Sequence, residues 1–355
     1  MTYSSDSPDT EQFSLDRPGA LIAALPAVLG FVPVHSLVLV TLDDGAVGCV
    51  MRVDLSPDMA ARIDHLAEVA CAAEPQTAVA VFVDEKGADC QQCNDEFREL
   101  AGMLAERLAD GGIELLGVHV VDRVEAGGIW HCADGCGSHG IVEDPSASPL
   151  AVAAVLDGRR LYRRREELQQ IVEADSGRGA RLARVIAELP AAPPTRGRAG
   201  ARANIEAAMA VAGRFADGRP PTDGEMARIA VALIDPQVRD TLYALAVGDS
   251  AAAAESLWAE LARALPPPWR AEALVLLAFS AYVRGDGPLT GVSLDAALDC
   301  DPEHRMAGML DTALQSGMRP EQVRELALSG YRQADRLGVR LPPRRTFGSV
   351  RPSRP

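Results

Sequence analysis

At 355 residues, 48% of them hydrophobic, the chain is long enough for two ordinary domains and too apolar for a disordered protein. Aromatic residues make up only 4%, so Ala, Leu and Val must build the interior. A formal net charge of -15 argues against general nucleic-acid binding, because an acidic surface is repelled by a phosphate backbone.

The opening MTYSSDSPDTEQ is polar and acidic, without the basic start and apolar run of a signal peptide. Residues 1–14 are therefore expected to be a disordered N-terminus. Seven cysteines without an export signal predict free thiols in a reducing cytoplasm rather than a disulfide framework. Residues 20–42 carry no formal charge and reach the ~20 residues that span a bilayer, but Pro26, Gly30, Pro33, His35 and Ser36 interrupt them. A helix over 18–29 and a strand over 36–42, paired to 46–54, explain those interruptions without a membrane span. Asp44-Gly45 supplies the turn, whose residues need positive φ.

In SPDM, Ser56 is a candidate N-cap and Pro57 a first helical residue, and Met59, Ile63, Leu66 and Ala70 follow at helical spacing. TAVAVFVDE reads as a buried strand. Phe97, Leu100, Leu104 and Leu108 mark a helix ending at Gly111-Gly112. IELLGVHVVDR is another strand, turning through EAGG into the short IWH. The succession predicts an α/β domain over 15–189 with a mixed sheet, completed by helices at 149–157 and 164–175.

PAAPPTRGRAG has no apolar period and predicts a linker over 190–204. Beyond it there is no convincing strand, and about five or six helices fill 205–340. AFSAYVRGDGPLTGVSLDAALDCDP has the small residues and the turn of one tetratricopeptide hairpin, with MAGMLDTALQSGMRP as a degenerate neighbour. Two repeats fall short of the roughly three that a stable array needs, so the expectation is an all-α, tetratricopeptide-like domain rather than a solenoid. The last stretch, 341–355, carries Arg344, Arg345, Arg351 and Arg354 without an acid and reads as a basic, Pro-rich disordered tail.

Two groups of residues carry candidate chemistry. Cys90-x2-Cys93 has the spacing of a zinc knuckle, and Cys132-x3-Cys136 in HCADGCGSH is a looser second pair. If zinc is the cofactor, these four are its ligands, with His131 or His139 able to replace one. The alternative is four small buried hydrophobes. Redox pairing is disfavoured because neither pair shows a strand-to-helix setting with a neighbouring cation. The second group is Asp54, Asp84 and Asp122 at strand ends, with Arg52 and Arg123 beside them. Ligands of α/β sheets collect outside the carboxyl ends of parallel strands, so these residues are candidates for a metal–phosphate or polar substrate. The competing role is turn capping. Phosphate-loop, dinucleotide, zincin and nucleophile-elbow motifs are absent. His35 reads as a hydrogen-bonded structural residue, and His65 and His304 as helix-surface residues.

Taken in order, LIAALPAVLGFVPVHSLVLVTL with RVDL, VVDR before a Trp and a cysteine loop, PLAVAAVLDGR with REEL, VALIDPQVRDTL, LWAELARALP and AFSAYVRGDGPL resemble domain of unknown function 4192, a family common in actinobacteria. The resemblance covers most of residues 15–330. It implies cysteines at Cys132 and Cys136 but not at Cys90 and Cys93, and no activity. The expectation is a non-enzymatic cytoplasmic interaction or regulatory protein that holds another protein through its helical domain. The alternative is an enzyme acting on a small molecule or nucleotide-phosphate ligand at the strand ends.

Overall fold

A computed structural model of the chain describes residues 17–43, 46–72, 74–156, 162–189 and 197–345. Residues 1–14, the turn at 44–45, and the arginines at 351 and 354 lie outside the described residues. Helix α1 (Pro18–Leu29) opens with Pro at its first position, where no N–H is needed, and closes on Gly30 at φ 74°. Pro26 sits inside the helix rather than ending it. The helix is apolar almost all round and buried almost all round.

Strand β1 (Ser36–Asp43) pairs antiparallel with β2 (Ala46–Asp54) and with β3 (Thr77–Val83). Between β2 and β3 runs α2 (Met59–Ala72), and α3 (Gln91–Asp110) crosses over to β4 (Glu114–Val121), which is parallel to β3. Strands β5 (Ile129–Cys132) and β6 (His139–Ile141) add antiparallel, giving the order β2-β1-β3-β4-β5-β6. The mixed sheet is the one expected, with β6 added. Three residues, HGI, are too few for a period to register.

Strand alternation divides the core. Leu37, Leu39, Ala80, Phe82 and Val120 join Ile63 and Leu66 of α2 and Phe97, Leu104 and Leu108 of α3 in one buried cluster. Phe82 and Phe97 stack with centroids 4.8 Å apart. On the opposite face, Trp130 lies against Gly19 of α1. Helix α4 (Pro149–Leu156) packs against α1.

The chain divides into two compact units between Arg165 and Glu166, upstream of the stretch that composition marks as a linker. The helix expected over 164–175 is only α5 (Arg165–Gln169). A helix not expected, α6 (Ser176–Ala187), follows and buries Leu182 and Ile186. Gly177 and Gly179 in its first turn hide its period, but Asp175 caps it by accepting the Arg178 amide at 2.9 Å.

Eight helices follow among the described residues, rather than about five or six: α7 (Arg198–Ala216), α8 (Asp223–Leu233), α9 (Pro236–Leu242), α10 (Ala251–Ala264), α11 (Trp269–Arg284), α12 (Gly287–Cys300), α13 (Arg305–Gln315) and α14 (Pro320–Leu337). Helix α6 packs against α8 and α10, so residues 166–189 belong with the helical unit. Helix α11 is its axis, buried at every position from Ala271 to Val283. The hairpin read from the sequence is α11–α12, turning at Gly285 (φ 81°) with Asp286 accepting the Leu289 amide. His304 is not a surface residue. Its Nδ1 caps α13 by accepting the Ala307 amide at 3.2 Å, and its Nε2 lies 3.4 Å from Glu272.

The start of the basic tail is ordered, contrary to expectation. Pro343 accepts the Asp249 amide at 3.1 Å, Arg345 donates to Val247 at 2.8 Å, and the Arg344 guanidinium lies over Tyr331. Proline removes a donor, but its carbonyl still pairs. No helix of the described residues is long and apolar enough to cross a membrane.

Candidate functional site

The sheet register brings the strand-end residues to one edge. Ser36 opposes Asp54 on one side and Val83 on the other, and Val83 opposes Val121. Asp54, Asp84 and Asp122 therefore lie at one end of the sheet, Asp84 and Asp122 after the neighbouring strands β3 and β4 and Asp54 on β2, beyond β1. Their carboxylates nevertheless turn to separate partners. Asp54 pairs with Arg52 and lies 3.9 Å from Arg165. Arg52 also donates to the Val34 carbonyl at 3.2 Å and lies over Phe31. Asp84 accepts the Lys86 amide at 3.2 Å and faces His35 Nδ1 at 3.5 Å. Asp122 accepts the Arg123 and Ile129 amides, both at 2.7 Å, and pairs with the Arg123 guanidinium. Each acid is thus engaged by its own partners, and the three do not form a group of metal ligands among the described residues.

His35, expected as a hydrogen-bonded structural residue, has Asp84 as its partner. Its side chain is 65% exposed, and its backbone lies at φ 43°, a left-handed conformation that costs a non-glycine residue of order 1–3 kcal/mol. The strain sits at the sheet edge that carries Asp84.

The cysteines separate by strand alternation. His131 and Cys132 are consecutive in β5, so their side chains leave opposite faces of the sheet. His131 Nε2 meets Asn94 Oδ1 of α3 at 2.7 Å, and Arg98 of α3 donates to the Ala133 carbonyl at 3.0 Å. The HCADGC loop is therefore packed beside the CQQC segment. Cys93, however, packs against the buried cluster on the α3 face, whereas Cys132 leaves the face shared with His119 and Trp130. The structure does not bring the four cysteines into one ligand group. Its metal-ligand grouping among the described residues is Cys132, Asp134 and Cys136, with one ligand atom from each within 4.8 Å of the others. His131 is held by Asn94, and His139 Nδ1 lies 3.0 Å from the Gly137 carbonyl, so neither replaces a thiol there.

Cys90 does occupy a strand-to-helix setting, which sequence reading denied it. It caps α3, its sulfur accepting the Cys93 amide at 3.5 Å, and that hydrogen bond draws its pKa below the ordinary thiol value. The hydrogen bond that the Cys93 thiol donates to Cys90 pushes Cys93 upward. Burial pushes Cys132 up to about 12 and lowers His119 and His131. His119 and Asp134 were missed in the sequence. The signal for His119 is the alternation of GVHVV opposite IWHC, which sets it against Cys132 in the register. In the helical unit a cavity of about 400 Å³ opens between Glu166, Gln170, Glu173, Arg270 and Asp299.

Residues 18–321 match the family described as domain of unknown function (DUF4192). The chain belongs to this family. The match begins at the first residue of α1 and ends in α14, so DUF4192 takes in both the six-stranded sheet and nearly all of the helical unit. No curated protein and no solved structure matches this DUF4192 chain.

Proposed function

We propose that the chain is a non-catalytic cytoplasmic interaction or regulatory protein that holds a protein partner on its helical unit. The observation that carries this reading is the exposure of Met309 on α13, Met318 in the following turn and Leu326 on α14, at 60%, 41% and 44%. Each large apolar side chain left in solvent offers a contact to a partner helix, and methionine adapts its shape to what it meets. The net charge of -15 favours a partner with a basic face and disfavours general nucleic-acid binding. The pairing of Asp54 with Arg52 and the commitment of Asp122 to its own turn support the non-catalytic half of the reading.

A second reading rests on His35. An exposed, strained histidine oriented by Asp84 has the arrangement of a general base, and it favours an enzyme acting on a small molecule or nucleotide-phosphate ligand at that sheet edge. Cross-linking in the cell of origin, followed by mass spectrometry, separates the two. Partner binding predicts cross-links to one protein concentrated on α13 and α14, lost in Met309→Glu/Leu326→Glu with an unchanged melting temperature. A metabolite whose stabilising effect disappears in Asp84→Asn, with no such cross-links, would favour the enzyme.

A further inference from the structure

The antiparallel register of β4 and β5 opposes His119 directly to Cys132. Directly opposed residues share a face, and their side chains are the closest pair across two strands. His119 Nδ1 accordingly lies 3.6 Å from Cys132 Sγ. The loop beyond Cys132 then doubles back. Gly135 and Gly137, on either side of Cys136, adopt φ 75° and 83°, conformations open to glycine without strain, and Cys136 lies near Cys132. Asp134 joins them, one of its oxygens accepting the Cys136 amide at 2.9 Å.

We infer that Cys132, Cys136, Asp134 and His119 form a zinc site on the sheet face opposite α3. The chemistry of the set is selective: two thiolates and an imidazole prefer zinc to the hard cations that oxygen cages hold. The geometry agrees at the one edge that is fixed by the sheet. Zn–S near ~2.3 Å and Zn–N near ~2.0–2.1 Å at a tetrahedral angle place sulfur and nitrogen about 3.6 Å apart. That is the His119–Cys132 separation. Cys132, Asp134 and Cys136 already lie within 4.8 Å of one another, whereas His119 is outside that mutual set. Coordination therefore draws the arm bearing Asp134 and the exposed Cys136 inward, toward a histidine held by the strand and by a T-shaped contact with Trp130, ring centroids 5.3 Å apart. Four protein ligands leave no position for a substrate water, so the metal is structural, clasping the turn between β5 and β6 to β4. The site is independent of the partner-binding reading.

Cobalt(II) titration of the reduced, untagged full chain tests it, because a tetrahedral thiolate site gives sulfur-to-cobalt charge-transfer and intense visible bands that zinc then abolishes. About one cobalt per chain is expected, as for a single closed site. Cys136→Ser, at an exposed thiol, should lose the site without unfolding the protein, and His119→Gln should weaken it. Cys90→Ser and Cys93→Ser should leave the spectrum unchanged. Absence of the tetrahedral spectrum, its persistence in Cys136→Ser, its loss in Cys90→Ser, or a Cys132–Cys136 disulfide in place of bound metal would each overturn the assignment.

Discussion

Asp122 Oδ1 accepts two amides, from Arg123 and Ile129, and its side chain is only 15% exposed. Removing that acceptor unpairs both amides, and a hydrogen bond contributes about 0.5–1.5 kcal/mol net. Asp122→Ala should therefore lower stability by roughly that amount per amide in urea unfolding, with an unchanged m value. Asp122→Asn keeps an acceptor oxygen and should cost less. Equal losses in the two variants would mean that charge, not hydrogen bonding, holds the turn. Glu272 makes the opposite case, in which charge decides. Burial raises its pKa, but the hydrogen bond from His304 and the charge of Arg239 together outweigh burial and hold it below the ordinary carboxylate value. A carboxyl depressed in the fold adds stability above its unfolded pKa of about 4.3, and that contribution is lost as pH falls through the folded value. Urea midpoints measured from neutral pH into acid should fall less steeply in Glu272→Gln than in the wild type. Parallel slopes would remove Glu272 from the acid response.

Glycine in a helix interior costs ~1 kcal/mol relative to alanine, so Gly→Ala normally stabilises. Gly330 in α14 is the exception that packing creates. A Cβ there would lie 2.8 Å from the Ala244 Cβ and 2.9 Å from the Asp240 carbonyl, both on elements packed against α14. Overpacking of that kind costs about 1–3 kcal/mol, which exceeds the propensity gain. Gly330→Ala should lower the melting temperature, whereas Gly308→Ala in α13, where a Cβ meets nothing within 4 Å, should raise it. The same melting direction for both would show that propensity alone governs them. Legibility at this scale followed length and period. The strands β1 to β4 and helices α1 to α3 repeat a clear pattern over seven residues or more. Helix α6, with glycines in its first turn, and the three-residue β6 do not.

At the scale of the whole chain, composition and packing divide the molecule at different places. The Pro/Gly/Arg-rich stretch supplies trypsin with Arg196 and Arg198, and it remains the expected first internal cleavage. Residues 190–196 lie outside the described residues, but α6 before them packs on α8 and α10 after them. Arg178 lies 2.5 Å from Glu260, and Arg181 lies 2.7 Å from Asp223. A cut at Arg196 should therefore leave two fragments that elute together on native gel filtration and separate only in denaturant. Fragments that part without denaturant would place the unit boundary at the cleavage site instead of at Arg165.

The sequence by itself determined the sheet-then-helices order, the strand-end row of Asp54, Asp84 and Asp122, and the family, because periodicity, turn chemistry and motif order are local properties of the chain. It could not determine which side chains meet. His304, expected at a helix surface, is buried beside Glu272, a neighbour distant in sequence. The cysteines make the reason plain. Spacing suggests that Cys90, Cys93, Cys132 and Cys136 converge, yet a period of two sends His131 to α3 and Cys132 to the other face. Only the pairing of β4 with β5, a contact between segments, decided that Cys132 would stand beside His119.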